Sequence, residues 1–330
     1  MKSPSPQDYI DGVRSQDRRA ISKTITLIES ALPAHREMAR EIIEALLPYS
    51  GQAIRLGITG VPGGGKSTFI ESLGMELIAQ GHHVAVLAVD PSSSLSGGSV
   101  MADKTRMEKL AVEPNAFIRP SPSGGTLGGV ASKTRETMLI CEAAGYDVII
   151  VETVGVGQSE ITVASMVDFF LVLMLAGAGD ELQGIKKGVL ELADAIAVNK
   201  ADGDNVDKAR KAARIYEMAL HLLRPASLSW SPPVLTCSAL EMTGITEIWQ
   251  TVLSHRNNLS SIGELELKRR GQALDWMEAL IEERLKERFH KNPDVQKALP
   301  RITRAVGQGK MAPTIAAQEL LFFLDNNPIV

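Results

Sequence analysis

The chain has 330 residues, 44% hydrophobic and 22% charged, a composition that suits a packed globular protein with one large domain or a core with additions. A net charge of −4 offers no electrostatic case for nucleic acid, and the longest apolar stretch, Phe169 to Ala176, is far too short to span a bilayer. Cys141 and Cys237 lie far apart and form no disulfide framework, which fits a reduced compartment.

The opening residues, MKSPSPQDYIDGVRSQDRR, lack an apolar h-region and mix acids with bases. They resemble neither a secretory signal nor a transit peptide, so a cytoplasmic location is expected. Residues 1–50 read as an N-terminal helical extension. Ile21, Ile25, Leu27 and Ile28, then Met38, Ile42, Ile43 and Leu46, recur at three- and four-residue steps, with a break at Pro33. From Ile54 the pattern alternates. Strands are predicted at 54–59, 84–89, 116–119, 147–152, 168–175, 194–199 and 233–237. Helices are predicted at 67–80, about 100–112, about 128–144, about 183–192, 206–223 and 244–256. Nearly continuous apolar strands separated by helices predict an α/β fold, a mainly parallel sheet covered by helices on both faces. After about residue 260 the strand pattern stops. Residues 264–290 are charged and amphipathic, and a further helical stretch runs from Ile315 to Leu324. The expected organisation is an extension (1–50), a nucleotide-binding domain (51–260) and a C-terminal helical region (261–330).

Between the first strand and its helix stands GITGVPGGGKST, a G-x-x-x-x-G-K-S pattern from Gly60 to Ser67. Gly60, Val61, Pro62, Gly63, Gly64 and Gly65 would wrap the backbone around an anion, with successive N–H groups pointing inward. The helix that begins near Thr68 offers its N-terminus to the same phosphates. Lys66 would reach the β- and γ-phosphates and Ser67 would ligate Mg²⁺. The competing reading, a glycine-rich turn that happens to carry a lysine, does not account for a strand before and a helix after.

The base is indicated by AIAVNKADGDN, where Asn199, Lys200 and Asp202 form N-K-x-D at the end of a buried strand. The Asp202 carboxylate can accept from N1–H and the 2-amino group of guanine, a donor pair that adenine lacks. Lys200 would lie along the base plane, and Asn199 would tie this loop to the phosphate loop. CSAL ends the next strand. There the main chain at Ser238 and Ala239, next to Leu240, would donate to the guanine carbonyl. An ordinary polar turn is the alternative for N-K-x-D taken alone.

Two carboxylates fall at strand tips facing the ligand crevice: Asp90 after VAVLAV, and Glu152 in DVIIVETVGVG. Either would serve Mg²⁺ directly or through water. Asp90 has a second reading as a cap before Pro91. Gly155 would offer its N–H to the γ-phosphate. Lys66, Asp90 and Glu152 are thus the candidate catalytic groups.

With VDPSSSLSGGS, DKTRM, FIRPSPSGGTLGG, IVETVGVGQSE and AGAGDELQGIKKG added to the phosphate loop and NKADGDN, the chain resembles the methylmalonyl-CoA mutase-associated GTPases, the MeaB/ArgK family, over nearly its whole length. The resemblance implies a P-loop GTPase using GTP/GDP and Mg²⁺. It also implies a chaperone for an adenosylcobalamin-dependent acyl-CoA mutase, and a homodimer built through the C-terminal helices. It places Asp103 of DKTRM with Ser67, Asp90 and Glu152 around Mg²⁺. In Ras-like proteins a glutamine directly follows the D-x-x-G glycine; here Val156 follows Gly155 and Gln158 is displaced. Slow intrinsic turnover is therefore expected, with Asp90 or Asp103 as alternatives for orienting water. Arg106, Arg119 and Arg135 are candidates for transition-state charge, although packing roles come first for each. Residues 176–188 read as a nucleotide-held switch or as a plain loop. The competing functions are a metallochaperone-type GTPase for nickel enzymes, which the scattered histidines support poorly, and a kinase linked to basic amino-acid transport.

Overall fold

Seven apolar runs pair side by side because each has more greasy surface than one sheet face can hide. A computed structural model describes residues 4–30, 32–89, 107–120, 127–153, 159–176, 187–222 and 229–325. Asp90, Asp103, Arg106, Gly155, Gln158 and residues 177–186 lie outside the described residues. The strands are β1 (Ile54–Gly60), β2 (Val84–Val89), β3 (Ala116–Arg119), β4 (Val148–Thr153), β5 (Phe169–Leu175), β6 (Ala195–Asn199) and β7 (Val234–Thr236). All pair in parallel, in the order β3-β2-β4-β1-β5-β6-β7. This is the predicted α/β architecture, with strand ends within a residue of the periodicity.

The pleat divides each strand between two cores. In β5, Phe169, Leu171 and Leu173 join Leu56, Ile58, Phe69 and Trp249 on one face. Phe170, Val172 and Met174 join Ala85, Leu87 and Ile149 on the other. Burying one such side chain contributes about 1.5–3 kcal/mol, and β5 gains this on both faces, where a one-residue slip would exchange the two sets and break their packing.

Three helices precede the sheet. α1 (Pro6–Arg14) opens on a capping box in which the Ser5 hydroxyl and the Asp8 carboxylate satisfy each other's backbone N–H. α2 (Arg18–Glu29) is capped by Asp17, and α3 (Pro33–Leu46) takes Pro33 as its first residue, where a missing N–H costs nothing. Ile21, Ile25, Ile28, Ile42 and Leu46 belong to the same core as Phe170. The extension therefore packs on the helix Leu127–Ala143, which itself lies on β2 and β4.

Among the described residues the remaining helices are α4 (Lys66–Ala79), α5 (Glu108–Val112), α6 (Leu127–Ala143), α7 (Ser159–Ala164), α8 (Lys187–Glu191), α9 (Val206–Leu222), α10 (Ile245–Ser261), α11 (Glu264–Lys291), α12 (Pro293–Gly307) and α13 (Pro313–Asp325). Helix α12 lies where no element was predicted, and α10 runs five residues past the predicted 256.

The chain forms two compact units, Met1–Gln272 and Ala273–Val330. In the first, the start of α11 is bound to the amino-terminal edge of the sheet. Arg269 donates to both oxygens of buried Asp168, at 2.8 and 2.7 Å, and to the carbonyls of Gly51 and Ala53. Lys268 donates to the Asp168 carbonyl at 2.7 Å, and Gln272 to the Val167 carbonyl at 2.9 Å. The second unit has its own small core of Val295, Ile302, Ala316 and Leu320. Among the described residues no helix is long and apolar enough to cross a membrane.

Candidate nucleotide site

The site stands at the carboxyl ends of β1, β4 and β6, the crevice side of a parallel sheet. The backbone demands of its loop explain the glycines. At Gly60, φ is 151°, and a Cβ would stand 2.2 Å from the Leu173 carbonyl oxygen of β5. Gly65 caps α4 at φ 83°, and a Cβ there would stand 2.8 Å from Asn199 Nδ2. Both positions exclude any other residue without moving backbone or the base loop. Gly64 N–H donates to the Val61 carbonyl at 3.0 Å, closing the turn. Val61 is buried, while Pro62 and Gly63 sit exposed at the tip and Thr68 is exposed on the first turn of α4.

Lys66 curls back over this loop, its Nζ donating to the Gly60 carbonyl at 2.9 Å and to Val61 at 3.4 Å. Ser67 Oγ donates to Glu152 Oε1 across 3.3 Å. Glu152 is buried near the end of β4. A hydroxyl and a buried carboxylate this close form a hard oxygen pair that fits Mg²⁺, which takes few protein ligands and keeps its waters. Such an ion would neutralise charge on the terminal phosphates of a bound nucleotide. Of the predicted set, Ser67 and Glu152 meet; Asp90, Asp103 and Gly155 lie outside the described residues.

On the base side, Asn199 is buried at the end of β6 and joins three segments. Its Nδ2 donates to the Gly64 carbonyl at 2.9 Å, its Oδ1 accepts from Ala239 N–H at 3.1 Å, and Cys237 Sγ approaches Oδ1 at 3.6 Å. Burial pushes the Cys237 thiol up to about 12, so the sulfur keeps the proton it offers. Lys200 holds φ 59°, an exposed residue in the left-handed region, with Cε 3.9 Å from where a Gly65 Cβ would be. Asp202 accepts from the Ser238 hydroxyl at 2.5 Å, and that hydroxyl also receives Glu241 N–H at 3.1 Å. Ser238 therefore holds the carboxylate expected to read the base.

The Ser238 and Ala239 amides expected on the guanine carbonyl are engaged here within the protein. Ser238 N–H donates to Thr243 O at 2.9 Å and Ala239 N–H to Asn199. The four-residue turn between Ser238 and Thr243 exposes Leu240.

The arginines considered for catalysis fall elsewhere. Arg119 pairs with Glu29 of α2, and Arg135 donates to the Gln272 carbonyl at 2.8 Å and the Ser165 carbonyl at 2.9 Å. Both join elements, as packing residues do. His82 binds Asp147 through Nδ1 at 2.6 Å, at the opposite end of β4. Among the described residues no group of three or more His, Cys, Asp or Glu is placed to hold a metal.

The family model described as methylmalonyl Co-A mutase-associated GTPase MeaB matches residues 21–294. The chain belongs to the MeaB family. The chain is 54% identical to the probable GTPase Rv1496 of Mycobacterium tuberculosis over 97% of both proteins. It is 44% identical to the mitochondrial methylmalonic aciduria type A homolog of Mus musculus, over 97% of this chain and 80% of that one. A crystal structure titled LAO/AO transport system kinase superposes with a TM-score of 0.79 at 41% identity, over 99% of both chains. The MeaB phosphate loop, buried acid and N-K-x-D thus stand on a P-loop GTPase fold.

Sequence reasoning misses several residues of this MeaB site. Ser72 Oγ donates to the Ala239 carbonyl at 2.6 Å, and Thr153 Oγ1 donates to Thr59 Oγ1 at 2.8 Å, all buried. The available signal was a serine on the buried stripe of α4, beside Phe69 and Leu73.

Proposed function

We propose that this chain hydrolyses GTP slowly with Mg²⁺ and serves as a chaperone for an adenosylcobalamin-dependent acyl-CoA mutase of the methylmalonyl-CoA type, helping to load, protect or restore its cofactor. The guanine half rests on one observation above others. Asn199 locks N-K-x-D to the phosphate loop at Gly64, so an acid suited to a guanine edge stands at a fixed distance from a triphosphate cradle. The mutase half rests on the family, whose description names that enzyme.

In this reading the protein positions the nucleotide and shares charge neutralisation with the ion. Loop amides and Lys66 would hold the phosphates, and Ser67 with Glu152 the ion, joined in this proposal by Asp90 and Asp103. Gly155 would meet the γ-phosphate. The homodimer belongs to the proposal as well. Within the second unit, Trp276, Met277, Leu280, Ile281 and Leu285 line an apolar groove along α11, a surface suited to a second copy. So does a cytoplasmic location, although the mouse relative is named for mitochondria.

The test is co-purification with candidate mutases, with GTP, GDP or no nucleotide, followed by GTP turnover with and without the enzyme captured. Nucleotide-dependent capture with faster turnover is expected. In the same assay GTP is expected to be used in preference to ATP, and equal or better use of ATP would favour a kinase of the kind that the solved relative's title names.

A further inference from the structure

Helix α4 begins at the phosphate loop and continues beneath the base loop. A serine inside a helix ordinarily turns its hydroxyl to the carbonyl four residues earlier, or to water. Ser72 instead donates to the carbonyl of Ala239, 167 residues away, across 2.6 Å and out of solvent. The other side of Ala239 is held too, its N–H donating to Asn199 Oδ1 at 3.1 Å. One residue is thus fixed through both of its peptide groups. Each tether also leads to the phosphate loop, Asn199 through the Gly64 carbonyl and Ser72 through the helix that opens at Lys66. Four residues on, Glu76 accepts from Thr246 Oγ1 at 3.4 Å at the start of α10. That spacing puts Ser72 and Glu76 on one face of α4, turned toward the segment 239–246.

We propose that Ser72 is a positioning residue for guanine nucleotides, and that α4 is the ruler that registers the base subsite against the phosphate subsite. Ser72 stands six positions after Lys66, a rise of ~9 Å at ~1.5 Å per residue. The proposal rests on the GTPase reading and says how its two halves are held in register. Without the Ser72 hydroxyl the Ala239 carbonyl loses its buried donor. The turn from Ser238 to Thr243, whose Ser238 holds Asp202, then comes loose from the helix.

The experiment is steady-state GTP hydrolysis by the full chain, with inorganic tripolyphosphate as competitor. Ser72→Ala is expected to raise KM roughly tenfold and leave kcat within about twofold, because the lost contact serves ground and transition states alike. The inhibition constant of tripolyphosphate, which meets the phosphate loop alone, stays at the wild-type value. Alanine is the better helix former, so α4 itself is not weakened. Ser72→Thr keeps the hydroxyl and restores KM. If the alanine variant does not fold, Ser72→Thr and Ser72→Val, equal in shape, isolate the hydroxyl. A wild-type KM in Ser72→Ala, equal KM in the threonine and valine pair, or a parallel loss of kcat or tripolyphosphate affinity overturns the proposal. Equal use of ATP and GTP by the wild-type chain would instead refute the guanine reading, whatever Ser72 does.

Discussion

Asn199 Nδ2 donates to the Gly64 carbonyl at 2.9 Å, so the loop expected to read the base and the loop expected to hold the phosphates share one hydrogen bond. Both groups are buried, and the same side chain receives Ala239 N–H. Asn199→Ala leaves a buried carbonyl and a buried amide without partners, each worth about 1–3 kcal/mol. GTP affinity measured by calorimetry should fall by roughly one to three decades, with a loss of melting temperature besides.

Gly65→Ala tests the same joint from the other side. The new methyl would stand 2.8 Å from Asn199 Nδ2 at φ 83°, so the backbone or the asparagine must shift. Left-handed backbone alone costs alanine about 1–2 kcal/mol. Nucleotide titration should show binding lost or weakened at least tenfold, about 1.4 kcal/mol, while circular dichroism stays close to wild type.

Lys66→Ala should abolish GTP turnover and leave the fold intact. Lys66 is only half-buried, and in this structure it contacts loop carbonyls rather than the core. Turnover and circular dichroism measured on one preparation check it.

Asp168 gives the protein an acid limb. Burial alone would raise its carboxyl, but the hydrogen bonds and charge of Arg269, with the Arg55 amide and charge, outweigh it and hold the group below its ordinary value. A depressed folded value contributes stability that is present above the unfolded carboxyl range, near pH ~3.9, and is lost as pH falls through the lower folded value. Melting temperature should therefore drop in that acid window. Arg269→Met at neutral pH leaves buried Asp168 without its paired guanidinium and with only the Arg55 amide and charge in support, a loss of about 3 kcal/mol in denaturant melts.

The same clasp decides where the chain can be cut. Sequence periodicity places the boundary near residue 261, and the structure adds that Lys268, Arg269 and Gln272 are bonded to Asp168, Gly51, Ala53 and Val167, just ahead of β1 and β5. A chain ending after Gln272 should stay folded, bind guanine nucleotide and run as a monomer in light scattering. One ending at residue 261 should melt well below it.

The sheet was legible because its strands are buried on both faces and so read as unbroken apolar runs. Gly60 to Ser67, Asn199 to Asp202 and Glu152 stood out because a phosphate loop, N-K-x-D and a strand-tip acid each ask for particular residues at particular spacing, and the fold brings Gly64 to Asn199 and Ser67 to Glu152. Helix α12 was hidden by Pro300, which sits inside it and removes a backbone donor where periodicity would otherwise continue. The short α7 follows a glycine-rich stretch and is too brief to show a period. Ser72 and Arg269 were hidden for a different reason. Each acts on residues about a hundred or more positions away, and neither side chain announces its partner.

The most direct measurement is the nucleotide preference of Asp202→Asn. If the carboxylate held by Ser238 reads the guanine edge, the variant should lose GTP affinity by roughly one to two decades, about 1–3 kcal/mol, and gain xanthosine triphosphate in its place. Unchanged GTP affinity in that variant would contradict the guanine site.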